Sequence, residues 1–342
     1  MTRYKPPLTL TPRMFSLVAD ISEQLGQLSA VPETGLTPQL RRGNRIRTIQ
    51  ASLAIENNTL SLEQVTAVLD GKKVLGLPRE IQEVRNAFSA YEAMSGWQPE
   101  NRAHLLQAHA LLMRGLIDDC GRLRQSGVGI YRADRLLHMA PPASRVPQLI
   151  DDLLGWIKES ELHPLIASCV FHYEFEFIHP FADGNGRMGR LWQTLILGQW
   201  RPVLAYLPVE TVIRDQQDDY YAALAAADQM AEATPFVEFM LEALLLAMTE
   251  ARRSDYLTVQ VTDQVTDQVA RLLAVLEGTP GMRSSELMSR LQLTHRPSFR
   301  SAYLGPALAS EWVEMTDPAS PRSPAQKYRL TEKGRRMAAR KF

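Results

Sequence analysis

Residues 179–190 read His-Pro-Phe-Ala-Asp-Gly-Asn-Gly-Arg-Met-Gly-Arg. One base, one carboxylate, one amide, three glycines and two arginines thus fall within twelve residues. His179 can take a proton near neutral pH. Asp183 is a hard oxygen ligand, and magnesium held on phosphates takes one or two carboxylates. Gly184 and Gly186 let the backbone turn tightly and approach a ligand. An apolar pattern follows and predicts a helix. Its N-terminus would point free N–H groups and the positive dipole end back into the loop, forming an anion cradle. Arg187 and Arg190, one turn apart on that helix, suit a polyphosphate. Gly189 is counted with the same nucleotide-binding set. The chemistry these parts suggest is phosphoryl or nucleotidyl transfer to a hydroxyl. The stretch is not a Walker A loop, since no Gly-Lys-Ser/Thr follows, and the chain has no His-Glu-x-x-His zinc motif.

Helices must position this loop. Apolar spacing predicts helices over Arg13–Gln27, Gln39–Glu56, Glu80–Met94, Arg102–Gly115, Pro147–Glu159 and Pro164–Phe177. Ser61-Leu-Glu-Gln64 is a capping box that opens a short helix, which Gly71 ends. Pro164–Phe177 carries Ile166, Cys169, Val170, Tyr173 and Phe177 on one apolar face. The helix after the loop buries Met188, Leu191, Trp192, Leu195 and Ile196, and further helices run from Gln216 to about Arg252. Residues 121–147, with their glycines and Pro141-Pro142, predict an extended hairpin. His172, two turns before His179, has no third ligand at metal spacing and reads as structural. His104 and His109 read as ordinary helix residues, and Tyr220 and Tyr221 as core aromatics.

The chain has 342 residues, enough for two or three domains. Formal net charge is zero, so no global field draws it to nucleic acid. Its two cysteines form no C-x-x-C pair, which excludes a thiolate zinc site and a disulfide framework. No signal-peptide run and no apolar membrane span is read, so the expected setting is cytoplasmic. A V-T-D-Q unit repeats over 258–269 and marks a connector. Beyond it come three helices (Gln268–Glu277, Ser284–Leu291, His295–Leu304), two strand-like pieces (312–315, 327–331) and a closing helix. That order is a winged helix. From Thr294 onward ten Lys/Arg stand against four Asp/Glu, a basic excess of six that makes a phosphate-binding footprint. Arg296 and Arg300, one turn apart, are the candidate DNA contacts, with Phe299 and Tyr303 packed inward.

The loop resembles the Fic family signature H-x-F-x-[DE]-G-N-G-R-x-x-R at every defined position: His179, Phe181, Asp183, Gly184, Asn185, Gly186, Arg187 and Arg190. The likeness spans most of residues 35–250. It implies a mainly α fold: a Fic-type helical core with a β-hairpin flap, plus the small C-terminal α+β winged-helix domain. The expected organisation is 1–95 N-terminal helical region, 96–252 catalytic core, 253–268 linker and 269–342 winged helix. The implied activity is transfer of AMP from ATP, with Mg2+, to a Ser, Thr or Tyr hydroxyl of a protein. By resemblance His179 is the base and Asp183 holds the metal. Asn185 and the glycine amides hold the α-phosphate, and Arg187 and Arg190 the β- and γ-phosphates. Phe181 packs the loop on the core, and Tyr221 lies on the adenine side. The target would pair with the flap near Val128–Arg132 as an added strand.

Upstream, Ser52-Leu-Ala-Ile-Glu56-Asn57 resembles the family's inhibitory motif [ST]-x-x-x-E-[GN]. The resemblance implies that Glu56 pairs with Arg190 and denies it to the γ-phosphate, an inhibition in cis. "THRPSFRSAYLGPALASEWVEMT" resembles the tail of long bacterial Fic proteins. Besides the target protein, the reading admits self-modification, DNA at the C-terminal domain and a homodimer, and no membrane. Two alternatives stand beside it. One is a DNA-binding regulator whose Fic domain senses ATP. The other is a Fic enzyme that uses another nucleotide or removes AMP.

Overall fold

The structure is a computed structural model. It describes residues 4–29, 38–132, 135–261, 267–293, 295, 299–309, 312–317 and 326–338. The chain divides into two compact units, Met1–Ala251 and Arg252–Phe342.

In the first unit α1 (Pro12–Ser29) begins with proline at its first position, where a missing N–H costs nothing. α2 (Pro38–Ile55) ends because Asn57 adopts φ 68°, a left-handed stop. The Asn58 N–H then returns to the Leu53 carbonyl at 3.1 Å. α3 (Leu62–Leu69) opens on the predicted capping box, both bonds of which are present. α4 (Pro78–Ala93) and α5 (Arg102–Leu112) follow. β1 (Gly129–Arg132) and β2 (Arg135–Met139) pair antiparallel, Gly129 opposite Met139, with an irregularity between Ile130 and Tyr131. They are the predicted hairpin.

α6 (Val146–Glu159) leads to α7 (Pro164–Ile178), the centre of the unit. Nearly all of α7 is buried, as expected for a helix covered on every side. Phe177 departs from the expected buried face and is 37% exposed. The face that buries Cys169 and Tyr173 opens at this end onto a cleft, which Phe177 lines. Burial pushes the Cys169 thiol up to about 12, consistent with a small apolar filler. α8 (Asn185–Trp200) packs along α7 and buries the five expected residues. Next come α9 (Val209–Asp215), α10 (Gln217–Met230) and α11 (Thr234–Val261). The seven residues of α9 are too short for periodicity to reveal. α11 runs to Val261, into the stretch read as a connector.

The second unit holds α12 (Asp267–Leu276), β3 (Met282–Arg283), α13 (Ser284–Arg290), α14 (Gly305–Ala309), β4 (Val313–Met315), β5 (Lys327–Leu330) and α15 (Glu332–Ala338). The strands form an antiparallel sheet in the order β3-β5-β4. Two-residue β3 was not expected, since no alternation can show in so short a piece. Helical backbone continues past Leu304 to Ala309, through a wide turn at Arg300–Leu304. Pro306 cannot donate its bond, and the wide turn absorbs that defect. Phe299 and Tyr303 are buried in this unit's core, as expected, and Arg300 is exposed. Arg296 lies outside the described residues.

Candidate functional site

The site is built where α7 stops and α8 starts. His179 caps α7 with φ 49° and ψ 63°, a left-handed residue that reverses the chain. Its side chain is 17% exposed and lines the cleft. Nδ1 stands 3.3 Å from the Glu176 carbonyl. A carbonyl only accepts, so that contact places the ring hydrogen on Nδ1 and leaves Nε2 as the basic nitrogen.

Arg124 holds this turn from behind. Its guanidinium is buried and donates to the carbonyls of His179 (2.7 Å), Ser126 (2.8 Å), Pro141 (2.5 Å) and Ile178 (3.2 Å). Four carbonyls replace a carboxylate partner, and they satisfy the C-terminal end of α7. Burial lowers the Arg124 pKa. Ser126 and Pro141 flank the hairpin, so one side chain ties its root to the histidine turn.

The loop is closed by Asn185. Its Oδ1 accepts from the Phe181 N–H at 2.9 Å, and its Nδ2 donates to the Phe181 carbonyl at 2.9 Å. The side chain expected on the α-phosphate is thus spent on loop closure. The physical reason is burial: at 2% exposure the amide needs both partners inside the protein.

Phe181 is fully buried and stacks on His109 at 3.7 Å between ring centroids. His109 is not an ordinary helix residue. Its Nδ1 accepts from the Gly121 N–H at 2.8 Å, so Nε2 carries the hydrogen it donates to the Asp183 carbonyl at 3.0 Å. Burial pulls its pKa down to about 4, and it is neutral at pH 7. His104 does accept locally, from the Gln98 N–H.

The Asp183 carboxylate is 42% exposed. It accepts from the Gly184 N–H at 2.6 Å and from Arg187 at 3.2 Å, and Arg79 approaches within 3.4 Å. Gly184 has φ 83°, and a Cβ there would stand 2.6 Å from Met113 Sδ. Arg187 also reaches Glu83 on α4 at 3.5 Å. One semi-exposed carboxylate beside two arginines suits a magnesium ion carried in on phosphates. Among the described residues no group of three or more His, Cys, Asp or Glu could hold a metal unaided.

Arg190 is 2% exposed. Nε donates to Ser52 Oγ at 3.0 Å, and one terminal nitrogen donates to the Ser52 carbonyl at 3.0 Å and to Glu56 Oε1 at 2.7 Å. Burial works against its charge, and Glu56, Tyr220 and Glu176 together more than offset it, so its pKa is raised. The carboxylate binds through one oxygen, on the same terminal nitrogen that also donates to the Ser52 carbonyl. Glu56 also sits over the start of α8: a Cβ on Gly186 would fall 2.4 Å from its Oε1. A carboxylate therefore stands against the first turn of α8. Asn57 has no bond to the site here; its left-handed turn ends α2 so that Glu56 can lean inward.

Beyond the cradle the cleft is walled by Tyr173, Phe177, Tyr220, Tyr221, Leu224 and Asp228. Burial raises the Tyr221 pKa, so it is a neutral wall. Tyr173 donates to Asp228 at 3.0 Å. His172 lies under the cleft as a satisfied structural residue. Its Nδ1 meets Gln193 Oε1 at 2.7 Å, its Nε2 meets the Tyr220 hydroxyl at 3.2 Å, and burial pulls its pKa down to about 3. Gly189 fits against it: a Cβ there would fall 2.8 Å from both Glu176 and His172. Gly189 is thus a packing position beneath the site, not a wall of the cradle.

Comparison with known proteins bears on this arrangement. Residues 99–197 match the Fic/DOC family, and residues 267–331 match "Filamentation induced by cAMP protein Fic-like, C-terminal domain". A crystal structure of a Fic family protein from Desulfovibrio desulfuricans G20 superposes with a TM-score of 0.75 at 63% identity, covering 97% of this chain and 99% of that one. Fic-1 from C. elegans shares the fold, with a TM-score of 0.59 at 22% identity over 72% of each chain. In sequence, protein adenylyltransferase fic-1 of Caenorhabditis briggsae is 29% identical over 204 residues, 55% of this chain and 38% of its own length. The C. elegans protein of that name is 30% identical over 205 residues, 55% of this chain and 37% of its own. The matched region thus spans less than half of those relatives.

Proposed function

This chain belongs to the Fic family, and from that premise we propose that it is a protein adenylyltransferase held inactive by its own α2. The observation that carries the reading is the pairing of a basic His179 Nε2 with an arginine-backed anion cradle one loop away. ATP enters with its phosphates over the N-terminus of α8, where the backbone N–H groups and Arg187 and Arg190 face them. Its base lies along the cleft wall that includes Tyr221. Asp183 would hold Mg2+, which would supply positive charge to the phosphates.

The target segment adds to the edge of the hairpin near Val128–Arg132 and brings a Ser, Thr or Tyr hydroxyl to His179. The hydroxyl oxygen bonds to the α-phosphorus and the bond to the β-phosphate oxygen breaks. Diphosphate leaves, and the hydroxyl proton passes to His179 Nε2. Backbone amides at the cradle stabilise the charge that develops on the α-phosphate. While Glu56 holds Arg190 and covers Gly186, the triphosphate cannot seat in line. That is the inhibition.

The test is incubation of the wild type and Glu56→Gly with α-labelled ATP, GTP, UTP and CTP separately, followed by mass spectrometry of labelled peptides. AMP on a hydroxyl, on a partner or on the chain itself, is expected. No label from any nucleotide with either protein would overturn the reading.

A second reading concerns the C-terminal unit. Two helices precede a helical segment that leaves Arg300 exposed, and a β4–β5 pair follows within a basic tail. That arrangement supports a winged helix that binds the DNA phosphate backbone. No helix among the described residues is long and apolar enough to cross a membrane.

A further inference from the structure

The turn that presents His179 also sets a carboxylate beside it. Glu176, three residues earlier on α7, is 8% exposed. Its Oε2 stands 3.8 Å from His179 Nδ1, and its Oε1 stands 3.8 Å from His172 Nε2. The two imidazoles are not equivalent. Gln193 Nε2 donates to Cys169, which sets its Oε1 toward His172. The His172 hydrogen is therefore on Nδ1, and its Nε2 accepts from Tyr220. That nitrogen shows Glu176 a lone pair, which attracts no carboxylate. His179 shows Glu176 an N–H.

We propose that Glu176 is a positioning residue for His179: its backbone carbonyl holds the hydrogen on Nδ1, and its carboxylate, 3.8 Å from that nitrogen, stabilises the imidazolium formed when Nε2 takes the substrate proton. The inference rests on the adenylyl-transfer reading for its place in a reaction, but its geometry does not. The step needs no further reactant. The hydroxyl proton moves to Nε2, and Glu176 takes no proton. The logic is that of a carboxylate behind a catalytic imidazole, with a Glu one helical turn upstream as the carboxylate.

Other ionisable groups face this pair. The turn after α2 contributes Glu56, α8 contributes Arg190, α10 contributes Tyr220, Tyr221 and Asp228, and α7 itself contributes His172 and Tyr173. Arg124 lies at the His179 carbonyl, and Asp183 is in the same loop. Arg190 is engaged by Glu56, Asp228 accepts from Tyr173, and Asp183 accepts from Arg187. Glu176 brings a carboxylate within 4 Å of the His179 ring.

The test is an NMR titration of the full chain carrying isotope-labelled histidine, with His179→Ala used to assign the signal. Removing the negative charge should lower the His179 pKa by about one unit in Glu176→Gln, equivalent to about 1.4 kcal/mol. In Glu176→Asp the pKa should fall by less. Glu176→Leu also removes the charge, so either neutral variant decides the matter if the other fails to fold. The pH profile of AMP transfer should follow: its acid limb moves to lower pH, and the plateau falls on the order of tenfold. A glutamate that only packed the helix would leave the His179 titration in place, and an unchanged pKa in a folded neutral variant overturns the proposal. If no variant transfers AMP, the titration still decides the role of Glu176, while the transfer reading fails separately.

Discussion

Glu56 Oε1 accepts a 2.7 Å bond from a terminal nitrogen of Arg190, joining the end of α2 to the first turns of α8. The arginine is buried and the carboxylate is one-third exposed. Glu56→Gly should therefore raise AMP incorporation well above wild type, because it clears the cradle and leaves Arg190 for phosphate. Arg190→Ala should not, and the double variant should behave like Arg190→Ala. Initial rates of the four proteins at one ATP concentration make the comparison. Equal rates for folded wild type and Glu56→Gly would make α2 purely structural.

The same bond makes a stability prediction. Loss of Glu56 leaves a buried guanidinium with only the Ser52 oxygens, which costs on the order of 1–3 kcal/mol. Partial exposure of the carboxylate places the value at the low end. A thermal melt of Glu56→Gly should show a drop of a few degrees that ATP reverses by mass action. A melt unchanged by both mutation and ATP would show that Arg190 does not depend on the pair.

His179→Ala should lower transfer by about 10²–10⁴-fold, the usual cost of losing a general base. ATP binding should persist, since the histidine acts on the incoming hydroxyl. Calorimetry on the variant in the Glu56→Gly background separates the two effects, and transfer at the undiminished rate would remove His179 from the mechanism.

Arg124 offers a prediction away from the signature. Lysine keeps the charge but not the planar fork that serves four carbonyls. Arg124→Lys should cost about 2 kcal/mol, given charge-assisted bonds of this kind. It should also speed hydrogen exchange at the Ser126 and His179 turns. Wild-type exchange at both turns would mean that the hairpin root is held elsewhere.

The buried histidines set an acid limit. Burial pulls His109 down to about 4 and His172 down to about 3, both below the usual 6.5. Each binds its proton more readily in the unfolded chain. Their contribution is complete above pH 6.5 and declines as pH falls through 6.5 toward the folded values. Each should remove about 1.4 kcal/mol per pH unit over its window. Urea midpoints from pH 7 to pH 4 measure the slope. His109→Gln should flatten it, and an unchanged slope would mean that His109 is already protonated in the fold.

What the sequence by itself determined is local. The capping box at Ser61, the helices α1 and α4, and the α7–loop–α8 order follow from spacing and turn chemistry, each within a few residues. His179, Asp183 and the two arginines were legible for the same reason: twelve consecutive residues hold them. Ser52 and Glu56 were legible only through resemblance, since one carboxylate at a helix end has no intrinsic meaning.

Tertiary structure decided what distant segments do to that loop. His109 lies 74 residues before Asp183, and Arg124 lies 55 before His179. Neither sits in a pattern that marks it, because a bond to a backbone carbonyl leaves no partner side chain in the sequence to recognise. Asn185 turned inward because a buried amide must satisfy both its donor and its acceptor. The two imidazoles on α7 were told apart only by what stood opposite them: Gln193 and Tyr220 for His172, and the open cleft for His179. Residue type sets what a group can do, but burial and hydrogen-bond partners, which only the fold assembles, set which form it takes.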